Sequence, residues 1–369
     1  MKRFSLFCIP RIAGLLCTQR APLRAFLFAL GTGLAALLSL QPACAQQGKN
    51  EAIYLYRGAD RDAQLLEKAR AEGSVVVYTS LASKESMPLA KAFEKKTGVK
   101  VELWRAVSGN VLQRVLTEGR AKRYTVDVVE TNTPEMETLA REKLLAEFYS
   151  PYFADLPPAA IGPNRLWISD RLNYYVVAYN TNKIKREDLP KHLEGFTDPK
   201  WKGKIGLEAT DADWMATVIK KLGVERGTKL FEKLAEQKPD VRKSHILLAE
   251  MVGIGEVPVA LTVYNTEVES LKRRGGPIDW APVEPVVAKA VAIAVTKNAP
   301  HPHAALLFSE FVLSPEGQEL FNAMGRVPTS MKVKTNLSIS PFVMLDTATV
   351  LDESEKWEKL WDTLFMGSK

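Results

Sequence analysis

The chain has 369 residues, 46% hydrophobic and 25% charged, an ordinary globular composition long enough for two or three domains with their own cores. Its net charge of +7 is unevenly placed: Lys2, Arg3, Arg11, Arg20 and Arg24 fall in the first 45 residues, which carry no acid. Setting those five aside leaves 45 basic against 43 acidic residues, so no nucleic-acid partner is expected.

Residues 1–45 read as a secretory signal. A basic n-region runs to Arg24, an apolar stretch spans Ala25 to Leu40, and Ala43-Cys44-Ala45 has the small-residue spacing of a cleavage site. The apolar stretch is short for a membrane span. Cys44 raises lipid anchoring as an alternative, but Gln41 and Pro42 fit a lipobox poorly. All three cysteines, Cys8, Cys17 and Cys44, lie in this segment, so the exported chain is expected to fold without disulfides or thiol chemistry. No later run of about 18 apolar residues suggests a further span.

The elements follow in order. Residues 46–57 read as a loose lead-in, and 60–70 as a helix closed by Gly73. Val75 to Tyr78 is a buried strand ending in Thr79 and Ser80. A helix capped by Ser86 carries Leu89, Ala90 and Phe93 and stops at Thr97-Gly98. Residues 99–104 alternate as a strand, 110–118 form an amphipathic helix, 126–130 form a strand, and Pro134 opens another helix. This β-α-β-α-β-α order predicts a parallel, doubly wound sheet. A second set follows: strands 174–179, 204–208, 257–264 and 291–295, and helices 212–222, 266–274, 302–312, 315–324 and 353–365. The expected fold is α/β, two doubly wound lobes with a hinge and an interlobe cleft. The expected division is a signal peptide (1–45), lobe 1 (46–178), lobe 2 (179–290), a return to lobe 1 (291–345) and a C-terminal helix (346–369).

Ligands of open α/β sheets bind at strand carboxyl ends, and three strands of lobe 1 end in polar groups. These are Thr79 and Ser80; Ser108, with Gly109 and Asn110; and Glu130, Thr131 and Asn132. Each group leads into a helix, whose N-terminal N–H groups favour anionic or polar ligands. The same residue types also serve as caps and turns. Lobe 2 offers Asp211, Asp213 and Trp214 after one strand, and Tyr264 and Asn265 after another. Trp214 also suits a core-facing helix position, and Tyr264 an interface tyrosine.

These residues and their neighbours carry a resemblance. GSVVVYTS (73–80), AFEKKTGVKVELW (92–104), VDVVETN (126–132), YNTNKI (179–184), DPKWKGKIGLE (198–208), GEVPVALTVYN (255–265) and HPHAALLFSEFVLSPEGQELF (301–321) together resemble the periplasmic solute-binding proteins of ABC transporters. The resemblance is to family 1, whose members include ferric-ion-binding proteins. It implies a type II, hinge-closing receptor, expected to be a monomer, that hands a small-molecule solute to an inner-membrane permease with its ATPase. Iron-binding members use a histidine where this chain has Ala82, a glutamate that Glu130 matches, and two adjacent tyrosines where it has Tyr264 and Asn265. One carboxylate and one phenolate suit a ferric ion poorly. A small polar or anionic organic solute is therefore the expected cargo, with a ferric-ion-binding protein using Glu130 and Tyr264 as the alternative.

Enzyme chemistry finds little support. His301-Pro302-His303 reads as a helix start, while His192 and His245 stand alone in sequence. Gly253-Ile254-Gly255 precedes a strand rather than following one, so it reads as a turn. Lys272-Arg273-Arg274 suits a helix C-terminus. No cofactor motif and no nucleophile–base pair is recognisable. An exported enzyme on the same scaffold is the remaining, weaker alternative.

Overall fold

The structure is a computed structural model describing residues 47–367; the expected signal segment and Cys44 lie outside the described residues. The described residues form eleven strands: β1 (Ser74–Thr79), β2 (Lys100–Arg105), β3 (Val128–Asn132), β4 (Ile168–Asn180), β5 (Ile205–Glu208), β6 (Asp240–Arg242), β7 (Val259–Tyr264), β8 (Ile278–Ala281), β9 (Val287–Val295), β10 (Val327–Pro328) and β11 (Val343–Met344). Their order is β2-β1-β3-β9-β4-β7-β5-β6, with β8 and β10 also on β4 and β11 on β9.

β1, β2 and β3 are mutually parallel, as the alternation of strands and helices requires. The expected all-parallel sheet is corrected at its centre, where β9 runs antiparallel to both β3 and β4. β4 is the pivot of the topology. Its residues Ile168 to Tyr174 pair with β9, whereas Tyr175 to Asn180 pair with β7 and β8. One strand therefore serves two lobes, and β9 crosses back beside it.

Both faces of each lobe are covered, which explains the near-continuous apolar runs. In β1, Val75 and Val77 enter a core with Phe93, Phe308 and Phe311, while Tyr78 on the other face packs with Val111, Val129 and Met136. In β4, Tyr175, Val177 and Tyr179 face a core with Trp214, Phe231, Trp357 and Trp361. Tyr174, Val176 and Ala178 face another, with Leu248 and Val252. Each fully buried large apolar side chain contributes roughly 1.5–3 kcal/mol, so these four clusters stabilise the described residues, which contain no cysteine.

Several local readings change. The expected loose lead-in is a helix, Gln47–Tyr54. It is anchored by Tyr54, whose hydroxyl donates to the Thr296 carbonyl at 3.1 Å, and by Asn50, whose amide donates to Ala299 at 3.1 Å. The helix expected to be capped by Ser86 begins earlier, at Ser83, and Ser86 is buried inside it. Helices Val224–Glu236 and His245–Ile254 were not anticipated. The expected C-terminal helix divides into Thr347–Asp352 and Ser354–Trp361, and Trp357 and Trp361 of the second bury their rings in the lobe 2 core. His301 and His303 stand at the start of helix Pro302–Leu313 and face Asp127 and Glu72 respectively, Nδ1 to carboxylate, at 2.9 and 2.6 Å. Among the described residues no helix is long and apolar enough to cross a membrane.

Candidate functional site

Lobe 1 presents three strand ends to one side of the sheet. β1 runs into helix Ser83–Thr97, β2 into helix Ser108–Arg120 and β3 into helix Thr133–Arg141. Parallel pairing of β1 with β2 and β3 aligns their carboxyl ends, so three helix N-termini converge there, each with unpaired N–H groups and a positive dipole end. Ser80, Ser108 and Asn132 are half-buried at these ends. The Asn132 amide donates to the Ser108 hydroxyl at 2.9 Å, so two of the three ends meet side chain to side chain.

The neighbouring candidates do different work. Thr79 is 2% exposed; its hydroxyl hydrogen-bonds the Glu130 carboxylate and accepts from the Leu81 N–H at 2.9 Å. Glu130 is buried and pairs with Arg171 at 2.6 Å, and Arg171 also holds Asp170 at 3.0 Å. Two carboxylates share one guanidinium in a fully buried place, and burial, with Glu130 adding to it, pushes Asp170 well above the usual carboxylate range. Thr131 is fully buried. Glu130, proposed from sequence as a possible iron ligand, is thus committed to Arg171.

Lobe 2 builds its wall from charge. Asp213, in the first turn of helix Ala212–Leu222, pairs with Lys289 of β9 at 2.6 Å. The Tyr175 hydroxyl reaches Asp213 at 3.3 Å, and the Tyr264 hydroxyl reaches Tyr175 at 3.4 Å. Burial pushes both phenols well above their usual range, reinforced by the carboxylates. Burial alone would lower the Lys289 ammonium, but Asp213 and the surrounding acidic groups hold it above its ordinary value. Glu135, in the first turn of helix Thr133–Arg141 on the lobe 1 side, has its pKa raised by burial, with Lys289 lowering it and Asp213 raising it. Glu135 Oε2 and Asn173 Oδ1 are buried acceptors without a protein partner.

Beyond the tyrosines lies a second group. His245 stacks on the Tyr264 ring with centroids 4.0 Å apart. Its Nδ1 sits 2.8 Å from the Thr262 carbonyl and its Nε2 3.4 Å from Asp211 Oδ1. Burial holds the imidazole below its usual pKa and pushes Asp211 well above the carboxylate range, where Glu208 and Asp213 add to the effect. The expectation that His245 stands alone is thereby corrected: helix His245–Ile254, capped by Ser244, carries it to the end of β5.

Two further candidates are corrected by their packing. Trp214 lies on the apolar face of its helix, 2% exposed, with its ring edge-on to Phe231 at 5.3 Å; the side chain fills the core instead of lining a cleft. Asn265 is fully buried, with its oxygen accepting from the Tyr174 N–H at 3.3 Å and its amide donating to the Leu337 carbonyl at 3.2 Å. It ties helix Asn265–Arg273 to the pivot strand. Sequence reading missed Glu135, Asn173, Tyr175, Glu208, His245 and Lys289. One signal was available for Lys289: a single charge inside the apolar run Val287–Val295.

A clamp also joins the lobes. Arg326, between helix Pro315–Ala323 and β10, pairs with Glu85 of lobe 1 at 3.0 Å. The same guanidinium donates to Thr266 at 2.8 Å and to Glu267 at 3.2 Å in lobe 2.

Comparison with known proteins agrees with this architecture. Residues 88–344 match the family described as bacterial extracellular solute-binding protein. The major ferric iron-binding protein of Neisseria meningitidis serogroup B is 25% identical over 320 residues, covering 81% of this chain and 95% of that protein. A putative 2-aminoethylphosphonate-binding periplasmic protein of Salmonella typhimurium is 24% identical over 282 residues, covering 73% and 80%. Iron-bound HitA from Pseudomonas aeruginosa superposes with a TM-score of 0.69 at 26% identity, covering 79% of this chain and 99% of that one. AfuA from Actinobacillus pleuropneumoniae, solved with fructose-6-phosphate bound, gives a TM-score of 0.69 at 23% identity, covering 80% and 99%, a likeness of fold. The chain belongs to the bacterial extracellular solute-binding protein family, and is a ligand-binding receptor of the ABC-importer type with the two-lobed fold of periplasmic binding proteins, not an enzyme.

Proposed function

We propose that this chain is the monomeric periplasmic receptor of an ABC importer, exported through a cleaved signal peptide. It closes two lobes on a small organic solute bearing an anionic group and delivers it to an inner-membrane permease driven by an ATPase. The observation that carries the reading is the convergence of three helix N-termini at the ends of β1, β2 and β3, with Ser80, Ser108 and Asn132 half-buried there. Uncharged donors and dipole ends bind an anion without a buried counter-charge. Glu135, in the first turn of the third of those helices, and Asn173 of β4 each carry a buried oxygen without a protein donor, which calls for an amine or hydroxyl on the same solute. Relatives named for 2-aminoethylphosphonate and solved with fructose-6-phosphate carry solutes of this double character.

The hinge lies where β4 changes partners, between Tyr174 and Tyr175, and in β9 near Val287 to Lys289. On this reading the lobe boundaries expected at 178 and 290 shift to these positions. Closure about two strands needs only small backbone rotations.

A ferric cargo is the second reading, favoured by the Tyr264–Tyr175–Asp213 chain of oxygens and by the iron-binding relatives. Against it, Ala82 offers no ligand, Glu130 is held by Arg171, and Lys289 already neutralises Asp213. Isothermal titration of Ser80→Ala and Asn132→Ala with the co-purified solute tests the organic reading. Each variant should bind about 5- to 150-fold more weakly. Unaltered binding in both would reject this placement of the solute.

A further inference from the structure

The ends of β5, helix Ala212–Leu222 and helix His245–Ile254 bring Glu208, Asp211 and His245 together, with one ligand atom from each within 4.8 Å of the others. We propose that lobe 2 holds a divalent transition-metal ion, of which zinc fits best, between Glu208, Asp211 and His245. This site is separate from the solute-binding residues of lobe 1 and does not depend on the identity of the cargo.

Hydrogen bonding points to it first. The Thr262 carbonyl can only accept, so His245 Nδ1, 2.8 Å away, carries the hydrogen. His245 Nε2 then presents a lone pair, and it faces a carboxylate oxygen of Asp211 at 3.4 Å. Two acceptors confronting each other in a buried place need a shared proton or a metal cation between them. The other Asp211 oxygen has no partner, and the residue is only 2% exposed.

Ligand geometry points the same way. A tetrahedral ion with bonds of about 2.1 Å separates its ligand atoms by roughly 3.4 Å, the separation observed between Nε2 and Oδ1. One imidazole and two carboxylates form a borderline donor set suited to zinc, and less to magnesium or calcium, which favour all-oxygen shells. Three protein ligands leave a fourth position open.

The surrounding shell is already built. The Nδ1 contact to Thr262 orients the imidazole, as outer partners of metal-bound histidines commonly do. Glu208 is fixed by the Thr210 N–H and hydroxyl, both at 2.6 Å to Oε2, and by the Ser244 N–H at 2.8 Å to Oε1. Each oxygen of that carboxylate retains acceptor capacity. The His245 side chain, 17% exposed, is the edge by which an ion would enter.

The test is titration of the chelator-stripped, purified protein with Zn²⁺, read by calorimetry and by native mass spectrometry, with Mg²⁺ as the hard-cation comparison. One equivalent of Zn²⁺ should bind, with Mg²⁺ bound far more weakly. Asp211→Asn and His245→Ala should each lose about 100-fold or more, since even outer-shell changes cost about 10- to 100-fold. His303→Ala, which alters the distant pair with Glu72, should match the parent. Circular dichroism of each metal-free variant checks folding; if His245→Ala is unfolded, Glu208→Gln, close in size to the residue it replaces, carries the test. No saturable Zn²⁺ binding would overturn the proposal, leaving a proton between His245 and Asp211. Parent-like binding by the folded variants would overturn it as well, placing the ion elsewhere.

Discussion

In the proposed cleft the lobe 1 and lobe 2 walls are both built from strand ends that run into helices, yet they differ in charge: apart from Glu135, the lobe 1 groups are neutral. Lobe 1 offers Ser80, Ser108 and Asn132 with three helix N-termini. Lobe 2 offers Asp213 paired with Lys289, the phenols of Tyr175 and Tyr264, and the Glu208–Asp211–His245 group. Neutral donors can wait for a ligand with water as the partner. Buried charges cannot, and must be balanced within the fold. The first wall is therefore easy to alter without harming stability, whereas the second is part of what holds lobe 2 and the hinge together.

The largest effect should come from breaking the charge balance. Lys289→Met leaves Asp213 without its cation and should cost about 3–5 kcal/mol of unfolding free energy in urea titrations. Adding Asp213→Asn should recover part of that loss; a single variant as stable as the parent would remove the contrast between the walls. Next in size, Ser108→Ala should change stability by less than about 1 kcal/mol while weakening solute binding by roughly 1–3 kcal/mol. An equal loss of stability would assign the hydroxyl to the structure.

Arg326→Ala sharpens the comparison by separating the lobes. It removes the guanidinium shared by Glu85, Thr266 and Glu267, so the solute-free protein should open. Small-angle scattering should report a larger radius of gyration, restored by saturating solute. An unchanged radius would place no closure energy in this clamp.

The smallest effect concerns pH. Asp170 has its pKa raised by burial, with Glu130 adding to it, well above the ordinary 3.8. The folded state therefore keeps a proton that the unfolded state releases, and stability falls as pH rises from about 3.8 toward the folded value. The slope is at most about 1.4 kcal/mol per pH unit. Asp170→Asn should flatten it; an unchanged pH profile of unfolding would show that Arg171 keeps Asp170 ionised.

Much of lobe 1 was legible in the sequence because its strands are apolar runs closed by small polar residues, and its helices follow directly. That grammar put Ser80, Ser108 and Asn132 at strand ends leading into helices, where the structure has them. Lobe 2 was less legible, since its wall depends on distances the chain does not record. His245 meets Asp211 across 34 positions, Lys289 meets Asp213 across 76, and Tyr175 meets Tyr264 across 89. Trp214 and Asn265 misled for a related reason: a polar or aromatic residue after a strand looks the same in sequence whether it faces a cleft or a core. Glu130 matched a position that binds iron in the resembling proteins, but Arg171, buried in β4, commits it elsewhere.

The central claim is that the cleft takes an organic anion by the lobe 1 wall. Native mass spectrometry of the protein purified from the periplasm, repeated on Asn132→Ala and Tyr264→Phe, tests it most directly. The account predicts one small anionic solute per chain on the parent, lost or much reduced in Asn132→Ala, with no tyrosinate–iron charge-transfer colour in any sample. A coloured ferric complex that disappears in Tyr264→Phe and persists in Asn132→Ala would contradict it.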